Sequence, residues 1–172
     1  MDDFDGWVRV SYARAYRTAC LLLANPADAE EAVQEAFLRV WRFRGALPDG
    51  DGRQAWLYRV VVNTCRSRQR ADAARPRTGH QLDPDLPVPG DLGPEEQLVR
   101  AADVQAALAG LPEHLRVVVI LHYFVGLLDR EIAVAVGRGP GTVRSRLAQA
   151  RRQLAAEPRL GSWAPAGAGD AS

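Results

Sequence analysis

The sequence predicts an all-α protein. Its apolar residues recur every three or four positions through most of the 172-residue chain, which is the period of a helix. No segment alternates apolar and polar residues as a half-buried strand would, and no internal repeat is visible. The segment ADAARPRTGHQLDPDLPVPGDLGP contains five prolines and no periodic pattern. We therefore expect two small helical domains joined by a flexible linker.

The proline-rich segment sets the expected domain boundaries. The N-terminal domain is predicted over residues 1–72, the linker over 73–94 and the C-terminal domain over 95–156. Residues 157–172, EPRLGSWAPAGAGDAS, are low in complexity and are predicted to form a disordered tail.

Three helices are expected in the N-terminal domain, over residues 4–23, 26–44 and 53–70. Asn25 is suited to cap the second helix, and Pro26 is well tolerated in a first helical turn. The third helix is expected to bury Trp56, Leu57, Val60, Val61 and Thr64.

The C-terminal domain is expected to be a small helical bundle that ends in a helix-turn-helix. The apolar stretch EHLRVVVILHYFVGL is too short to span a bilayer and is predicted to form the core helix. The segment DREIAVAVGRGPGTVRSRLAQARRQL follows, with Gly137 suited to end its first helix. Its second helix is expected to begin near Thr142 and to bury Val143, Leu147, Ala150 and Leu154.

Several classes of function are unsupported by the sequence. It contains no phosphate-binding loop, no nucleophile elbow and no cysteine or histidine spacing typical of a metal site, so we predict no catalytic residues, no metal and no cofactor. Cys20 and Cys65 are expected to be buried. No signal peptide or membrane-spanning run is visible, which predicts a cytoplasmic protein without membrane insertion.

Arginine position, rather than arginine number, carries the functional signal. All 22 basic residues are arginine and the net charge is only +1. On the third helix, four polar side chains fall within about 60° of one another on a helical wheel. This basic stripe is Arg59, Asn63, Arg66 and Arg70. Stacked arginines repel one another unless a polyanion is present, so either phosphates or an ordinary solvated face would explain the stripe.

The second predicted helix carries acidic side chains opposite its core. Its polar face includes Asp28, Glu31 and Glu35, with Gln34 and Leu38 beside them. Either an ordinary surface with helical ion pairs or a face that docks on another protein is compatible with this pattern.

In a helix-turn-helix, the N-terminal half of the second helix enters the major groove of DNA. Here that half exposes Arg144, Ser145, Arg146 and Gln149, and the small Ala148 allows close approach. We therefore predict DNA binding.

Taken together, these segments resemble the extracytoplasmic-function (ECF) sigma factors, the group IV members of the main bacterial family of RNA polymerase initiation subunits. ANPADAEEAVQEAFLRVWR resembles the second conserved region of that family, and AWLYRVVVNTCRSRQR resembles the segment that follows it. LPEHLRVVVILHYFVGLLDREIAVAVGRGPGTVRSRLAQARRQL resembles the fourth region. The resemblance covers nearly the whole chain, in the family's order.

The resemblance implies a role for each face. The second-helix face would dock on core RNA polymerase through Asp28, Glu31, Gln34, Glu35 and Leu38. The basic stripe, with the loop Arg44–Gln54 before it, would melt and read the promoter −10 element. Duplex −35 DNA would contact the helix-turn-helix at Arg138, Thr142, Arg144, Ser145, Arg146 and Gln149. An anti-sigma partner is also implied.

Two departures from the family pattern are visible. Leu128 stands where the family often has Ser or Thr to cap the first helix of the motif, so Asp129 is expected to cap it instead. The turn GRGPG is richer in glycine than usual, which is expected to loosen the second helix. The alternative to a sigma factor is a stand-alone helix-turn-helix regulator that binds duplex DNA as a dimer.

Overall fold

The computed structural model describes residues 4–72 and 94–160, and in the second stretch it describes side chains from residue 101 onward. Every regular element in these residues is helical, as the sequence predicts. The predicted linker lies outside the described residues except for Pro94, which begins a helix rather than ending the linker.

The N-terminal half contains three helices: α1 (Phe4–Leu23), α2 (Pro26–Arg42) and α3 (Asp51–Asp72). Asn25 caps α2 as predicted, since its side-chain oxygen accepts hydrogen bonds from the backbone N–H groups of Ala27 at 3.0 Å and Asp28 at 3.4 Å. The α3 helix starts two residues earlier and ends two residues later than predicted.

The predicted buried face of α3 is largely correct. Leu57, Val61 and Thr64 are at most 1% exposed, whereas Trp56 and Val60 are only half-buried at the edge of the core. The pattern did not identify Tyr58, which is 1% exposed; burial raises its pKa to about 12 against a lowering effect of the Thr18 hydroxyl.

Both cysteines are buried, as predicted. Cys20 is 3% exposed and Cys65 is 1% exposed, and both thiols are free. Burial raises the pKa of Cys65 to about 12, which disfavours the reactive thiolate form.

Four helices form the C-terminal half: α4 (Pro94–Gly110), α5 (Glu113–Val119), α6 (Asp129–Val136) and α7 (Pro140–Ala155). The predicted core helix is present, but α5 continues as a single π-helical segment over Ile120–Val125 and ends at Gly126. Gly126 has a φ of 81°, a conformation that favours glycine.

The prediction that Asp129 caps α6 is wrong. Leu128 occupies the N-cap position, and the Glu131 carboxylate reaches back to accept its backbone N–H at 2.7 Å. The Glu131 side chain therefore makes one half of a capping box, because it accepts the backbone N–H of the N-cap residue. The other half, in which a Ser or Thr at the N-cap accepts a backbone N–H of the first turn, is absent because Leu128 has no side-chain acceptor.

The prediction of a disordered tail is wrong for its first residues. Pro158–Leu160 form a 3-10 turn that packs against α4, and Leu160 is 3% exposed within the core. Apolar burial of this one leucine explains why the fold extends past the end of α7. The remainder of the predicted tail lies outside the described residues.

The two halves pack against each other. On one side α3 contacts α1 and α2, and on another it contacts α6, while α1 also contacts the π-helical segment. Ion pairs between described side chains join the halves, among them Arg66 to Glu113 at 2.6 Å and Arg130 to Asp51 at 3.6 Å.

The glycines of the turn before α7 differ in what they do. Gly137 ends α6 with a φ of 65°, which a residue with a Cβ adopts only at a cost of about 1–2 kcal/mol. Gly141 is helical, and a Cβ added there would meet no atom within 4 Å. Gly141→Ala should therefore raise the free energy of unfolding by up to about 1 kcal/mol.

The matched variant Gly137→Ala should lower that free energy by about 1 kcal/mol or more. Urea denaturation followed by circular dichroism measures both values. Equal effects of the two substitutions would contradict the assignment of the left-handed conformation to Gly137 alone.

Candidate nucleic-acid interface

The second helix of the predicted helix-turn-helix presents the two faces that the sequence predicts. Its four apolar side chains are buried, with exposed fractions of 0–4%: Val143, Leu147, Ala150 and Leu154. Packing against α5 and α6 fixes this buried face and so sets the helix's rotation. As a consequence, Thr142, Arg144, Ser145 and Gln149 are exposed on the other sides of α7.

The N-terminus of α7 is open. Gly139 occupies the N-cap position, where no side chain caps the helix, and Pro140 is the first helical residue. The first backbone N–H groups of a helix and its dipole favour an anion at this end. Nearby, Arg138 is exposed and its side chain donates a hydrogen bond to the carbonyl of Gly137 at 3.2 Å.

Among the predicted −35 residues, Arg146 has a distinct environment. Its side chain is half-buried, and burial lowers the pKa of Arg146 from its ordinary value. The positive charges of Arg138 and Arg66 lower this pKa further, while the Glu113 carboxylate opposes the shift. Arg146 is therefore half-buried and within electrostatic reach of Arg66 and Glu113, which meet where the two halves join.

The basic stripe runs along α3 as predicted, but its members are not equivalent. Arg59, Asn63 and Arg70 are exposed. Arg66 is 23% exposed because its Nε donates to Glu113 Oε1 at 2.6 Å. The closed packing of the halves thus covers one of the four predicted −10 contacts.

Aromatic side chains flank the loop before α3, which the sequence reasoning missed. Trp41 and Phe43 are 52% and 56% exposed, and Phe43 meets Trp56 edge to face with ring centroids 6.4 Å apart. The Arg44 guanidinium lies 4.4 Å from the centroid of the Trp41 ring. Helical periodicity assigned Trp56 to the core, and the available signal for these rings was their position near helix ends beside a loop.

The loop itself is tightly folded. Residues Arg44–Ala46 form a 3-10 turn, and the Arg53 side chain reaches back to the carbonyl of Pro48 at 3.4 Å and the carboxylate of Asp49 at 3.3 Å. A Cβ added to Gly52 would lie 2.9 Å from Pro48 Cβ, closer than side chains allow. Gly52 is therefore required for the close approach of Pro48 to the first turn of α3.

The acidic side chains of α2 share one face of the helix, but two of them form ion pairs with arginines of the same chain. Glu31 contacts Arg68 of α3 at 2.6 Å, and Glu35 contacts Arg39 at 2.6 Å. Gln34 is exposed and donates to Glu30 at 3.3 Å, and Asp28 is half-buried.

Apolar side chains, rather than unpaired charges, are the unusual feature of this surface. Leu38 is 60% exposed and Trp41, three residues further along the same helix, is 52% exposed. Reversing the charge of Glu31 would disturb the packing of α2 on α3 as well as this face, because an arginine at 31 would face Arg68 directly.

No group of side chains that could hold a metal ion is found among residues 4–71 and 101–160. In the part of the chain that the structure describes, no helix is long and apolar enough to cross a membrane.

The role of Gly52 gives a direct test of the loop geometry. Gly52→Ala should force the loop open and release Arg53, because the added Cβ and Pro48 cannot occupy the same space. Limited trypsin digestion with mass spectrometry should then show faster cleavage after Arg53. Gly45→Ala is the control, since a Cβ at Gly45 meets nothing within 4 Å. Equal cleavage rates in both variants would contradict the described loop.

Comparisons with known proteins identify two regions of the chain. Residues 7–75 match the family profile "Sigma-70 region 2", and residues 101–154 match "Sigma-70, region 4". The chain is 36% identical over 160 residues to the ECF RNA polymerase sigma factor SigE of Mycolicibacterium smegmatis, covering 90% of this chain and 61% of that protein. It is 34% identical over 152 residues to the ECF RNA polymerase sigma factor SigM of Mycobacterium tuberculosis, covering 88% of this chain and 75% of that protein.

Solved structures show the same fold. The sigma factor RpoE of Bartonella quintana, solved with the anti-sigma factor NepR, superposes with a TM-score of 0.75 at 22% identity, covering 94% of this chain and 99% of that one. CnrH, solved with the cytosolic domain of CnrY, superposes with a TM-score of 0.66 at 23% identity, covering 92% and 89%. With its two conserved regions in order and relatives above 30% identity over most of their length, this chain belongs to the ECF sigma factor family.

Proposed function

We propose that this chain is the initiation subunit that directs core RNA polymerase to a set of promoters, with −35 DNA read as a duplex and −10 DNA read after melting. The single observation that carries the proposal is the presence of three distinct faces on the two family regions. They are the outer face of α7, the basic stripe of α3 beside an aromatic-flanked loop, and the apolar and acidic face of α2.

Reading of the −35 element is assigned to α7. Its buried stripe holds the helix so that Ser145 and Gln149 face outward in the half that enters the major groove. A glutamine can form a bidentate pair with adenine, and a serine can contact several bases. Arg144, Arg138, Thr142 and the open helix N-terminus would contact phosphates, which fix the position of the helix without reading sequence. Arg146 would join them only once the halves separate.

Reading of the −10 element is assigned to α3 and the loop before it. Arg59, Arg66 and Arg70 would neutralise phosphates of the strand, and Asn63 would contact a base edge. Unpaired bases stack on aromatic rings, each contact contributing about 1–3 kcal/mol, and Phe43 and Trp56 lie beside the loop. Melted DNA fits this arrangement because an unpaired base exposes a flat face that can stack on an aromatic ring. In an intact duplex the bases are already stacked on one another.

Docking on polymerase is assigned to α2. Interfaces bury apolar anchors at the centre with polar groups at the rim. Leu38 and Trp41 would be the anchors, while Asp28, Glu31, Gln34 and Glu35 would form the rim. Because Glu31 and Glu35 already pair with arginines within the chain, much of the binding energy would come from the apolar pair.

This function needs no catalytic site in the chain, since the polymerase carries out nucleotide addition. The chain would act in the cytoplasm, where the polymerase and the chromosome are found. Binding through two DNA faces joined by one polypeptide raises the overall affinity without strong binding by either face. RpoE of Bartonella quintana was solved with an anti-sigma factor, and this supports an anti-sigma protein as a further partner here.

Mixing the chain with bacterial core RNA polymerase tests the proposal. We expect the two to co-elute on gel filtration, and we expect transcripts from discrete sites on a genomic DNA library that core polymerase alone does not produce. Neither co-elution nor new transcripts, together with tight dimeric binding to duplex DNA by the chain alone, would instead support a stand-alone regulator.

Gln149→Ala should reduce the affinity of the polymerase complex for its promoter by about 1–3 kcal/mol, because a base contact is lost. Affinity for a random duplex should not change. Gln153→Ala is the control, as Gln153 is also exposed on α7 but lies one turn further from the helix N-terminus. Fluorescence anisotropy with labelled promoter DNA measures each affinity. Equal losses in both variants would argue against base reading by the N-terminal half of α7.

Leu38→Gln should weaken binding to core polymerase by about 1–3 kcal/mol, since a buried apolar anchor would be replaced by a polar side chain. The control is Val10→Gln on α1, where an apolar side chain is 72% exposed and outside the proposed docking face. Biolayer interferometry with immobilised core polymerase measures both. Unchanged binding of the Leu38 variant, with a normal circular dichroism spectrum, would remove α2 from the docking surface.

A further inference from the structure

One arginine ties separate parts of the N-terminal half together. Arg53 lies in the first turn of α3, and its side chain is only 13% exposed. Its Nε donates to the carbonyl of Pro48 at 3.4 Å, and its Nη2 lies 3.3 Å from the Asp49 carboxylate, both in the loop before α3. Its guanidinium carbon also lies over the Trp7 ring of α1, 5.5 Å from the ring centroid. Arg53 therefore connects the loop to α1 as well as to its own helix.

The opposite end of the loop is fastened in a similar way. The Arg44 guanidinium lies 4.4 Å from the centroid of the Trp41 ring on α2, and its Nη1 donates to the Trp41 carbonyl at 3.1 Å. Phe4 bridges the two tryptophans, since its ring centroid is 5.9 Å from that of Trp41 and 5.8 Å from that of Trp7. Arginines at both ends of the loop thus rest on one aromatic cluster of Phe4, Trp7 and Trp41.

The loop needs such support because its own backbone is permissive. It contains Gly45, Gly50 and Gly52, and glycine loses more conformational freedom on ordering than any other residue. Apart from Leu47, residues 44–50 are exposed, so this segment is open to a DNA strand. A loop that is held in its binding conformation before the ligand arrives avoids the cost of ordering on binding.

Neither loop contact of Arg53 is strong by itself. The bond to Pro48 is longer than most hydrogen bonds, and Asp49 is 99% exposed, so water screens the ion pair. The distinguishing feature is that one planar side chain makes these contacts together, with its nitrogens toward the loop and its carbon over an indole ring. A lysine has the same charge on a single ammonium group and cannot reproduce this combination. These contacts are typical of a side chain that fixes the position of the loop.

Building on the proposed function, we propose that Arg53 is a positioning residue for reading of the −10 element. By joining the loop to the aromatic cluster, it holds the loop in the shape that meets an unpaired base, although it does not itself touch the base. Trp7 serves the same purpose from α1, a helix to which no DNA contact is assigned. Sequence choice at the −10 element thereby depends on residues outside the exposed surface of the loop.

Base discrimination by the polymerase complex tests this role. Fluorescence anisotropy measures affinity for a labelled single strand with the mapped −10 sequence and for strands with one base changed at a time. The ratio of the two affinities is the discrimination. We expect Arg53→Ala to lower this ratio about threefold or more at one base position at least, because loop conformations that fit other bases become populated.

Arg17→Ala is the matched control, since it removes one positive charge from an exposed position on α1. Its discrimination ratio should equal that of the wild type. Partial unfolding of any variant lowers both affinities equally and leaves the ratio unchanged, so a merely structural role of Arg53 would not move it.

Two further variants make the test specific. Arg53→Lys keeps the charge but loses the forked contacts, so it should behave as Arg53→Ala does. Trp7→Leu leaves the loop and α3 unaltered in sequence and should also lower the ratio. Any of three results would overturn the proposal: full restoration by lysine, an unchanged ratio in Trp7→Leu, or an Arg53→Ala ratio equal to that of Arg17→Ala.

Limited trypsin digestion of the chain alone gives a readout without DNA or polymerase. Cleavage after Arg44 should be faster in Arg53→Ala and Trp7→Leu than in Arg17→Ala, because the loop is released at its far end. Equal rates in the three variants would contradict the positioning role. Failure of the proposed function would appear differently, as an absence of polymerase-dependent transcripts.

Discussion

The division of α3 into a buried side and a charged side is the constraint on which the rest of the structure depends. Leu57, Val61 and Thr64 fix the rotation of this helix against α1 and α2. Once that rotation is set, the arginines of the basic stripe must lie on the opposite side of α3. The same logic applies to α7, where a buried stripe determines which side chains reach outward. In both halves, therefore, the hydrophobic core positions the charged residues that would meet DNA.

Much of this arrangement could be predicted from the sequence, because periodicity reports directly on burial. The four buried residues of α7 and the Asn25 cap are examples in which a local rule and the tertiary structure agree. Predictions failed where a residue's surroundings depended on another part of the chain. Glu131, rather than Asp129, completes the start of α6, and Leu160 finds a place against α4 that no local pattern signals.

The candidate site shows the same limit. Sequence spacing identified the basic stripe, but it could not show that Arg66 is paired with a residue 47 positions away or that Arg146 lies within electrostatic reach of that pair. Likewise, an apolar stripe on a helical wheel assigns every aromatic residue to the core. Only the folded chain reveals that Trp41 and Phe43 remain half exposed beside a loop that Gly52 and Arg53 hold closed. Long-range charge pairing and helix-end geometry are properties of the assembled fold.

Under the proposed function, one chain bound to polymerase places two separate faces on two promoter elements at the same time. Site-specific photocrosslinking tests this most directly, with a photoreactive amino acid replacing Gln149 in one variant and Asn63 in another, each assembled with core polymerase on a mapped promoter. We predict crosslinks from position 149 to duplex DNA near −35 and from position 63 to DNA near −10 in the same complex. Crosslinks from both positions to a single element, or from position 149 alone, would contradict the account.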